Sequence, residues 1–415
     1  MADLSPRPLL AAMLALLPVA AQAAPSLPPE GAVVAVLDNA PSVAAARARL
    51  GAAQAGATML AKGTHEVTVM GSYVTRDVTG ERRFDEFDAT VTRAFRLPGK
   101  AALDRKAGAL GVEVAQNRME DTRHQAALML SRLWFDWLTA GELARCDDAN
   151  VTLLEQALHA VERRAQLRDA AALEIDQARA ALDQARALSA GSHAASEEAR
   201  AMLAAIFPDL PLGAEPPALG TPEAPPQSLD ALRDLVIARS HEVRAADREA
   251  ARLGTLAERA RRDRTADPSI GLRAFSERSG MERGGGIVLS IPLGGGYRRA
   301  VAEQAGAEAN AGLMDLAEAR RVVESTADAD LAAARNREGA WRRLAAAADS
   351  AGAAAERTAR GHALGAIDLA DVLSARRLAR DAQRLEITAR ADAIRALLKL
   401  QIDSHTIWMG SDVEP

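Results

Sequence analysis

The sequence predicts a mainly α-helical chain with a small β part, built from long coiled-coil α-helical hairpins and two β-hairpins. Three observations predict it. Alanine supplies 96 of the 415 residues while aromatics make up 3%. That composition suits long helices packed along thin seams rather than a thick core of large rings. The same succession of helix, alternating segments and long helices occurs twice, at an offset of roughly 200 residues, and a repeat of that length is an architectural signal. The return helices carry small and apolar residues at heptad spacing.

The chain opens with a short apolar run, Leu9 to Ala20, followed by Ala21-Gln22-Ala23. This pattern predicts a secretory signal peptide over residues 1–23. The run contains Pro18 and is too short to span a bilayer, and no later stretch holds about 18 unbroken apolar residues. The mature chain is therefore expected either in the periplasm or in an outer membrane as part of a β-barrel.

The expected organisation is a first repeat over 24–207, a Pro-rich linker over 208–227, a second repeat over 228–408 and a tail over 409–415. The linker holds Pro208, Pro211, Pro216, Pro217, Pro222, Pro225 and Pro226, which excludes helix there. Each repeat begins with a modest helix, Ala32 to Lys62 and Leu229 to Arg264. Two strands follow in each: Val67 to Thr75 and Phe87 to Phe95 around the turn Asp77 to Arg83, then Ser269 to Ser276 and Ile287 to Ile291 around Glu277 to Gly285. Leu97-Pro98-Gly99-Lys100 and Pro292-Leu293-Gly294-Gly295-Gly296 mark the passage to long helices, which run to Arg164 and Arg360. Return helices then end at Ile206 and Ile402.

In the first return helix Ile175, Leu182, Ser189, Ser196 and Leu203 recur every seven residues, with Ala178, Ala185, Ser192, Ala199 and Ile206 beside them. In the second, Leu378, Ala382, Leu385, Ala389 and Ala396 are expected on the seam. Small seam residues favour close lateral packing into sheets or tubes of helices. A helix of about 60 residues is a rod of roughly 90 Å, too long to wrap a globular core without copies of itself or partners.

The strands alternate. Phe87, Ala89, Val91 and Phe95 oppose Asp88, Thr90 and Thr92, with Arg93 interrupting the apolar side; Ile270, Leu272 and Ala274 oppose Gly271 and Arg273. Segments of about 9–11 alternating residues suit a membrane barrel wall. Six of the twelve aromatics, Tyr73, Phe84, Phe87, Phe95, Phe275 and Tyr297, lie in or beside these hairpins, as an interfacial girdle would. A small soluble hairpin layer is the alternative. Four strands cannot close a barrel, and open edges are not tolerated in lipid. If the strands are membranous, several chains share one barrel.

Arg96-Leu97-Pro98-Gly99-Lys100 and Val288-Leu289-Ser290-Ile291-Pro292-Leu293 resemble the two strand-to-helix junctions of the TolC-like outer-membrane efflux protein family. Arg163-Arg164 with Leu173 to Arg179 resembles that family's first periplasmic tip, and Gly361 to Arg376 resembles its second. The likeness covers nearly all of the mature sequence and is nearest to the shorter members of heavy-metal efflux, the cobalt-zinc-cadmium outer-membrane component. Pro98 replaces a glycine of the family pattern. Arg168 stands where the family usually has glycine, which implies a differently shaped first turn.

The resemblance implies a homotrimer with a shared twelve-stranded outer-membrane β-barrel and a periplasmic α-helical tunnel. It also implies docking onto a periplasmic adaptor and a resistance-nodulation-division pump of the inner membrane. The chain would be a passive export conduit, for metal cations on the heavy-metal likeness, and not an enzyme. The candidate gate or adaptor residues are then the tips: Arg168, Asp169, Glu174 and Asp176, with His362, Gly365, Asp368 and Asp371. Gly365 would permit the tight turn. Pro98, Gly99, Pro292 and Gly294 would let the sheet wall bend into a helical one.

Other chemistry finds little support. A formal net charge of -5 argues against nucleic acid as a partner. The single Cys146 excludes an internal disulfide framework and a thiolate zinc cluster. Lys100 follows Gly99, but Ala101 comes next and the upstream glycine of a phosphate loop is missing; Gly294-Gly295-Gly296 lacks dinucleotide spacing. His65, His124, His159, His193, His241, His362 and His405 are scattered without ligand spacing, so no bound metal or cofactor is expected. Trp134, Phe135 and Trp137 read as an aromatic packing belt. The alternatives are a periplasmic adaptor, which has one helical hairpin where this chain has two, and a soluble coiled-coil scaffold, which leaves the duplicated aromatic hairpins unexplained.

Overall fold

The structure, a computed structural model, describes residues 27–409. The expected signal peptide and all but Met409 of the expected tail lie outside the described residues. The elements are α1 (Glu30–Asn39), α2 (Pro41–Lys62), β1 (Val67–Arg76), β2 (Phe84–Ala94), α3 (Lys100–Gln166), α4 (Ala172–Ile206), α5 (Leu229–Arg239), α6 (His241–Asp263), β3 (Ser269–Glu277), β4 (Glu282–Ser290), α7 (Gly296–Ala363) and α8 (Leu369–Asp403).

Each repeat opens with two helices where one was expected. In the first, Pro41 forces Ala40 into an extended conformation (ψ 134°) and then starts α2 from its first position. In the second, Ser240 makes the same break by another chemistry. Its hydroxyl accepts from the Val243 N–H at 3.1 Å and caps α6.

The four strands form one antiparallel sheet in the order β1-β2-β3-β4. The central pair, β2 with β3, joins the two repeats. β4 begins five residues earlier than the sequence suggested and absorbs Gly284 to Gly286, so the connecting turn is only Arg278 to Met281. The glycines read as a loop, but the Phe275 ring lies where a Cβ on Gly284 would sit. Close approach of that ring explains why glycine occupies a strand.

The helices form a single wall. Nearest the sheet the neighbours run α2-α3-α6-α7; beyond the midpoint they run α4-α3-α8-α7. α3 and α7, at 67 and 68 residues, cross both levels, a length of about 100 Å each. The first return seam falls mainly as expected on Ala178, Leu182, Ala185, Ser192 and Leu203, but Ile206 is exposed. In α8 the expectation holds at Ala396 but fails at Leu378 and Leu385, which point outward; Ile387, Ala391, Ile394 and Leu398 take the core. The heptad frame was set one face off, because Ala and Leu occur all round this helix.

The largest core lies halfway along the rods, where shorter elements cross them. Trp134, Phe135 and Trp137 of α3 are buried there against α1, α8 and the segment between α4 and α5. That Pro-rich segment is a strap rather than a loose linker. Phe207, Leu210 and Leu219 are buried in the core. Arg200, Arg145 and Arg390 donate to the carbonyls of Gly213, Pro216 and Leu219 at 2.9, 3.3 and 3.2 Å. These carbonyls lack ladder partners, so guanidinium groups satisfy them.

Gly141 of α3 is the contact on which the strap closes, since a Cβ there would overlap Pro216 Cγ. Gly141→Leu should displace the strap and cost about 1–3 kcal/mol, read as a lower urea midpoint of the purified chain; an unchanged midpoint would show that the strap is not tightly docked.

Candidate functional site

Three places along the wall gather the residues that position it: the sheet, the sheet-to-helix junction and the tips. In the sheet, register aligns Val69, Val91, Leu272 and Ile287 in one row, with Val67, Arg93, Ile270 and Leu289 in the next, all on one face. This face is exposed: Ile287 is 79% accessible and Val69 70%. The opposite face carries Thr68, Ser72, Thr90, Thr92 and the paired Asp88 and Arg273. An apolar surface thus backs a polar one across a single layer. β1 and β4 each have one edge with no partner strand among the described residues.

At the hairpin end Tyr73 packs on Phe87 at 5.0 Å and donates to Asp85 at 2.8 Å, an aromatic body with a polar tip. At the helix end Arg93, which interrupts the apolar side, donates to the His65 carbonyl at 3.3 Å. The expected girdle needs correction at two positions. Phe84 and Phe275 lie on the polar face. Phe84 is 2% exposed, between the guanidinium groups of Arg82 and Arg278 at 5.6 Å each. Tyr73, Phe87, Phe95 and Tyr297 remain exposed.

At the junction Gly99 (φ 86°) turns the chain from β2 into α3, as Leu97-Pro98-Gly99 suggested, and a Cβ there would meet the Arg262 guanidinium. What fixes the turn is the next residue. Lys100 is 1% exposed; its ammonium donates to Asp263 and Asp267 at 2.8 Å and to the Thr265 carbonyl at 2.7 Å. All three ammonium hydrogens are used. Asp267 also accepts from the Leu97 N–H at 2.9 Å. Beside it Arg96 bonds the last carbonyls of α2, those of Leu60, Ala61 and Lys62, at 2.7 to 3.0 Å, and bonds Asp104. Arg259 of α6 completes the group on Asp104 at 2.7 Å.

Burial pushes the Asp267 carboxyl up, but Lys100, the Leu97 N–H and His65 outweigh it and hold it below the ordinary carboxylate range. Asp263 behaves alike: burial raises it, and Lys100 with Arg259 brings it below its usual value. The second junction is different. Gly294 has φ 100°, and nothing crowds Gly294 to Gly296. Pro292 and Gly294 adjoin Leu293, which is 91% exposed.

The two tips have the same shape. Asp169 N–H donates to the Arg164 carbonyl, and Ala366 N–H to Gly361, each at 2.9 Å; this is the Schellman arrangement with a left-handed residue in between. That residue is Gly365 (φ 76°) in the second tip and Arg168 (φ 61°) in the first. The differently shaped first turn implied by Arg168 is therefore not found. A bracing arginine accompanies the strain: Arg164 donates to the Asp169 carbonyl at 2.9 Å and its carboxylate at 3.2 Å.

Arg164 also joins the tips, which the sequence did not reveal. Its guanidinium lies 3.5 Å from Glu174 and 3.2 Å from His362 Nε2. His362 Nδ1 lies 2.7 Å from the Ile367 carbonyl, so Nδ1 donates and Nε2 accepts from Arg164. Asp169, Glu174 and His362 are thus brought together. Arg168, Asp176, Asp368 and Asp371 are exposed. Among the described residues no three His, Cys, Asp or Glu side chains are placed to hold a metal ion, and no helix is long and apolar enough to cross a membrane.

No family model and no curated protein matches the chain. Solved structures do resemble it. The outer-membrane channel OprN is 19% identical, with 92% of this chain and 91% of that chain covered and a TM-score of 0.75. The outer membrane protein VceC of Vibrio cholerae is 14% identical over 90% of this chain and 95% of that chain, with a TM-score of 0.76. CusC, solved to follow folding and transmembrane channel formation, is 14% identical over 90% and 91%, with a TM-score of 0.76. The chain has the fold of these TolC-like channels.

Lys100→Met should cost about 3 kcal/mol, because it leaves the Asp267 carboxylate without its lysine and Asp263 with Arg259 alone; an unchanged denaturation midpoint would sink the central role given to Lys100. The depressed carboxyls stabilise the fold above their ordinary value of 3.8, and that contribution is lost as pH falls through their lower folded values. Acid unfolding below about pH 4 should accordingly be shallower in Lys100→Met than in the parent chain. Arg168→Gly should stabilise the chain by about 1 kcal/mol by removing left-handed strain, seen as a raised thermal midpoint.

Proposed function

We propose that three copies of this chain form one channel, a passive conduit through the outer membrane and periplasm that serves as the outer component of a tripartite efflux system. The observation that carries this reading is the sheet. It is apolar and exposed on one face, polar on the other, and open at both edges. An exposed apolar face of four strands is stable in lipid only if every backbone group is paired, and that requires closure. Four strands are too few to close. Pairing β4 of one copy with β1 of the next satisfies both edges, and three copies give twelve strands.

The apolar band has a suitable height. From Phe87 to Phe95 is eight residues, about 27 Å along the strand and roughly 20 Å when tilted as barrel strands are. The Tyr73–Phe87 pair and Arg93 mark its two borders. The polar face would line the pore, and the helical wall would continue it into the periplasm for about 100 Å. Nothing in this arrangement performs covalent chemistry. The tips, with Arg164 joining Asp169, Glu174 and His362, are the surface offered to a periplasmic adaptor and its inner-membrane pump.

Heavy-metal cations are the cargo we favour, on the sequence likeness to the heavy-metal members of the family. A wide aqueous conduit need not bind what it passes.

Two measurements test the proposal. The chain should fractionate with outer membranes and run as a trimer that resists mild detergent; a stable monomer in periplasmic extract would overturn the channel reading. Loss of the chain should sensitise cells to cobalt, zinc or cadmium more than to organic drugs, and the reverse order would replace metals as cargo. At the second tip, a Cβ on Gly365 meets nothing within 4 Å, so Gly365→Leu strains only the backbone, by about 1–2 kcal/mol. It should leave the trimer intact while lowering efflux; full efflux would remove Gly365 from the working parts of the tip.

A further inference from the structure

The midpoint of the wall holds a group of histidines that the channel reading does not use. His124 of α3, His241 at the start of α6 and His405 just beyond α8 are far apart in sequence and meet in one stack. The His405 ring lies 4.8 Å from His241, nearly parallel at 19°, and 5.5 Å from His124. His405 reaches this place through a left-handed backbone (φ 56°). The Nδ1 atoms of all three rings are buried with no hydrogen-bond partner. An imidazolium needs acceptors for both N–H groups, and only His124 has a carboxylate, Asp403, at 3.1 Å from Nε2.

His405 belongs to a short segment, 404–409, that folds back onto the bundle. Ser404 is fully buried, and Trp408 and Met409 enter the main core. Two arginines fasten its backbone: Arg239 donates to the Ser404 carbonyl at 2.9 Å and Arg123 to the Trp408 carbonyl at 3.2 Å. His405 also forms part of the partition between two clefts. One, of about 770 Å³, is lined by Arg123, His241, Arg244 and His405. The other, of about 590 Å³, is lined by His124, Glu242, Lys399, Asp403 and His405. Protons have access from both sides.

Charges of both signs surround the rings. α3 presents Asp121 and Arg123, α5 presents Arg239, and α6 presents Glu242 and Arg244. α7 presents Asp315, Glu318 and Asp330, and α8 presents Lys399 and Asp403. Asp330 and Asp403 are held by Lys399, and Asp121 and Glu242 repel each other. Among the described residues no carboxylate lies within ion-pair distance of His241 or His405, and both rings face arginines.

We propose that the His241–His405 stack, abutted by His124, is an acid-operated latch, which holds segment 404–409 in the core while these two imidazoles are neutral and releases it when they take protons. Burial, then the neighbouring Arg244 and His124, lower His241 from 6.5 to about 4. Burial, then His241, His124, Arg239 and Arg244, lower His405 to about 3. Groups depressed in the closed state keep it favoured above their ordinary value, and that preference is lost as pH falls below it. Each proton admitted on opening multiplies the open population about tenfold per pH unit. The latch does not depend on the channel reading and is tested on the purified full-length chain.

Hydrogen exchange, corrected for the intrinsic rate, should show protection of 404–409 falling at least tenfold from about pH 7.5 to about pH 5, while the middle of α8 keeps its protection. His405→Asn suits a left-handed position and cannot take the proton, so its protection should fall with pH about half as steeply, His241 alone remaining. His405→Lys should open the segment already at neutral pH. If His405→Asn does not fold, His241→Gln serves instead and should halve the slope with pH. Protection independent of pH in the parent chain overturns the latch, as does unaltered pH dependence in the variants.

Discussion

A helix of 67 residues cannot be held in place by a seam of alanines, because each small side chain buries little apolar area. That constraint organises the molecule. The rods α3 and α7 are pinned at three levels, and polar groups sit where the apolar seam runs out. At the sheet end, Lys100 and Arg96 bind carboxylates and orphan helix carbonyls. At the midpoint, shorter helices and the Pro-rich strap supply the one large core with big rings among the described residues. At the far end, Arg164 ties the two turns. Between these levels the wall is thin, which suits a surface meant to be lined on both sides.

Much of the plan was legible in the sequence. Repetition, alternation and the Pro and Gly signals located the strands, both long hairpins and the tips. The failures have physical causes. β4 was cut short because Gly284 to Gly286 look like a turn, whereas they make room for an aromatic ring from the neighbouring strand. The α8 seam was misplaced because alanine is compatible with every face of a helix. Phe84 and Phe275 do not belong to the girdle, because strand alternation places them with Asp88 and Arg273 on the polar face, where arginines cover their rings. The sites were least legible. Lys100 was dismissed as a failed phosphate loop, and the histidines looked scattered, since their meeting depends on three helices crossing.

The two repeats reach one geometry by different residues. A proline breaks the leading helices of the first and a serine cap those of the second. An arginine sits in the left-handed turn of one tip and a glycine in that of the other. The junction is not duplicated. Lys100 belongs to the first repeat and its carboxylates to the second, so this brace lies under the central strand pair. The position matching Lys100 in the second repeat is Gly296, beside the exposed Leu293 and Tyr297. The middle of the sheet is fastened from within, and its margins are left bare.

The order of strands has a kinetic side. Asp88 and Arg273, which pair across β2 and β3, stand 185 residues apart in the chain. Loop-closure entropy must be met before such a contact gives any return, so distant strand pairing is intrinsically late. The local hairpins of helix on helix form without that delay. A nascent molecule therefore passes through a stage in which its rods are assembled and two greasy hairpins still wait to be joined, the interval in which a holding chaperone has most to protect.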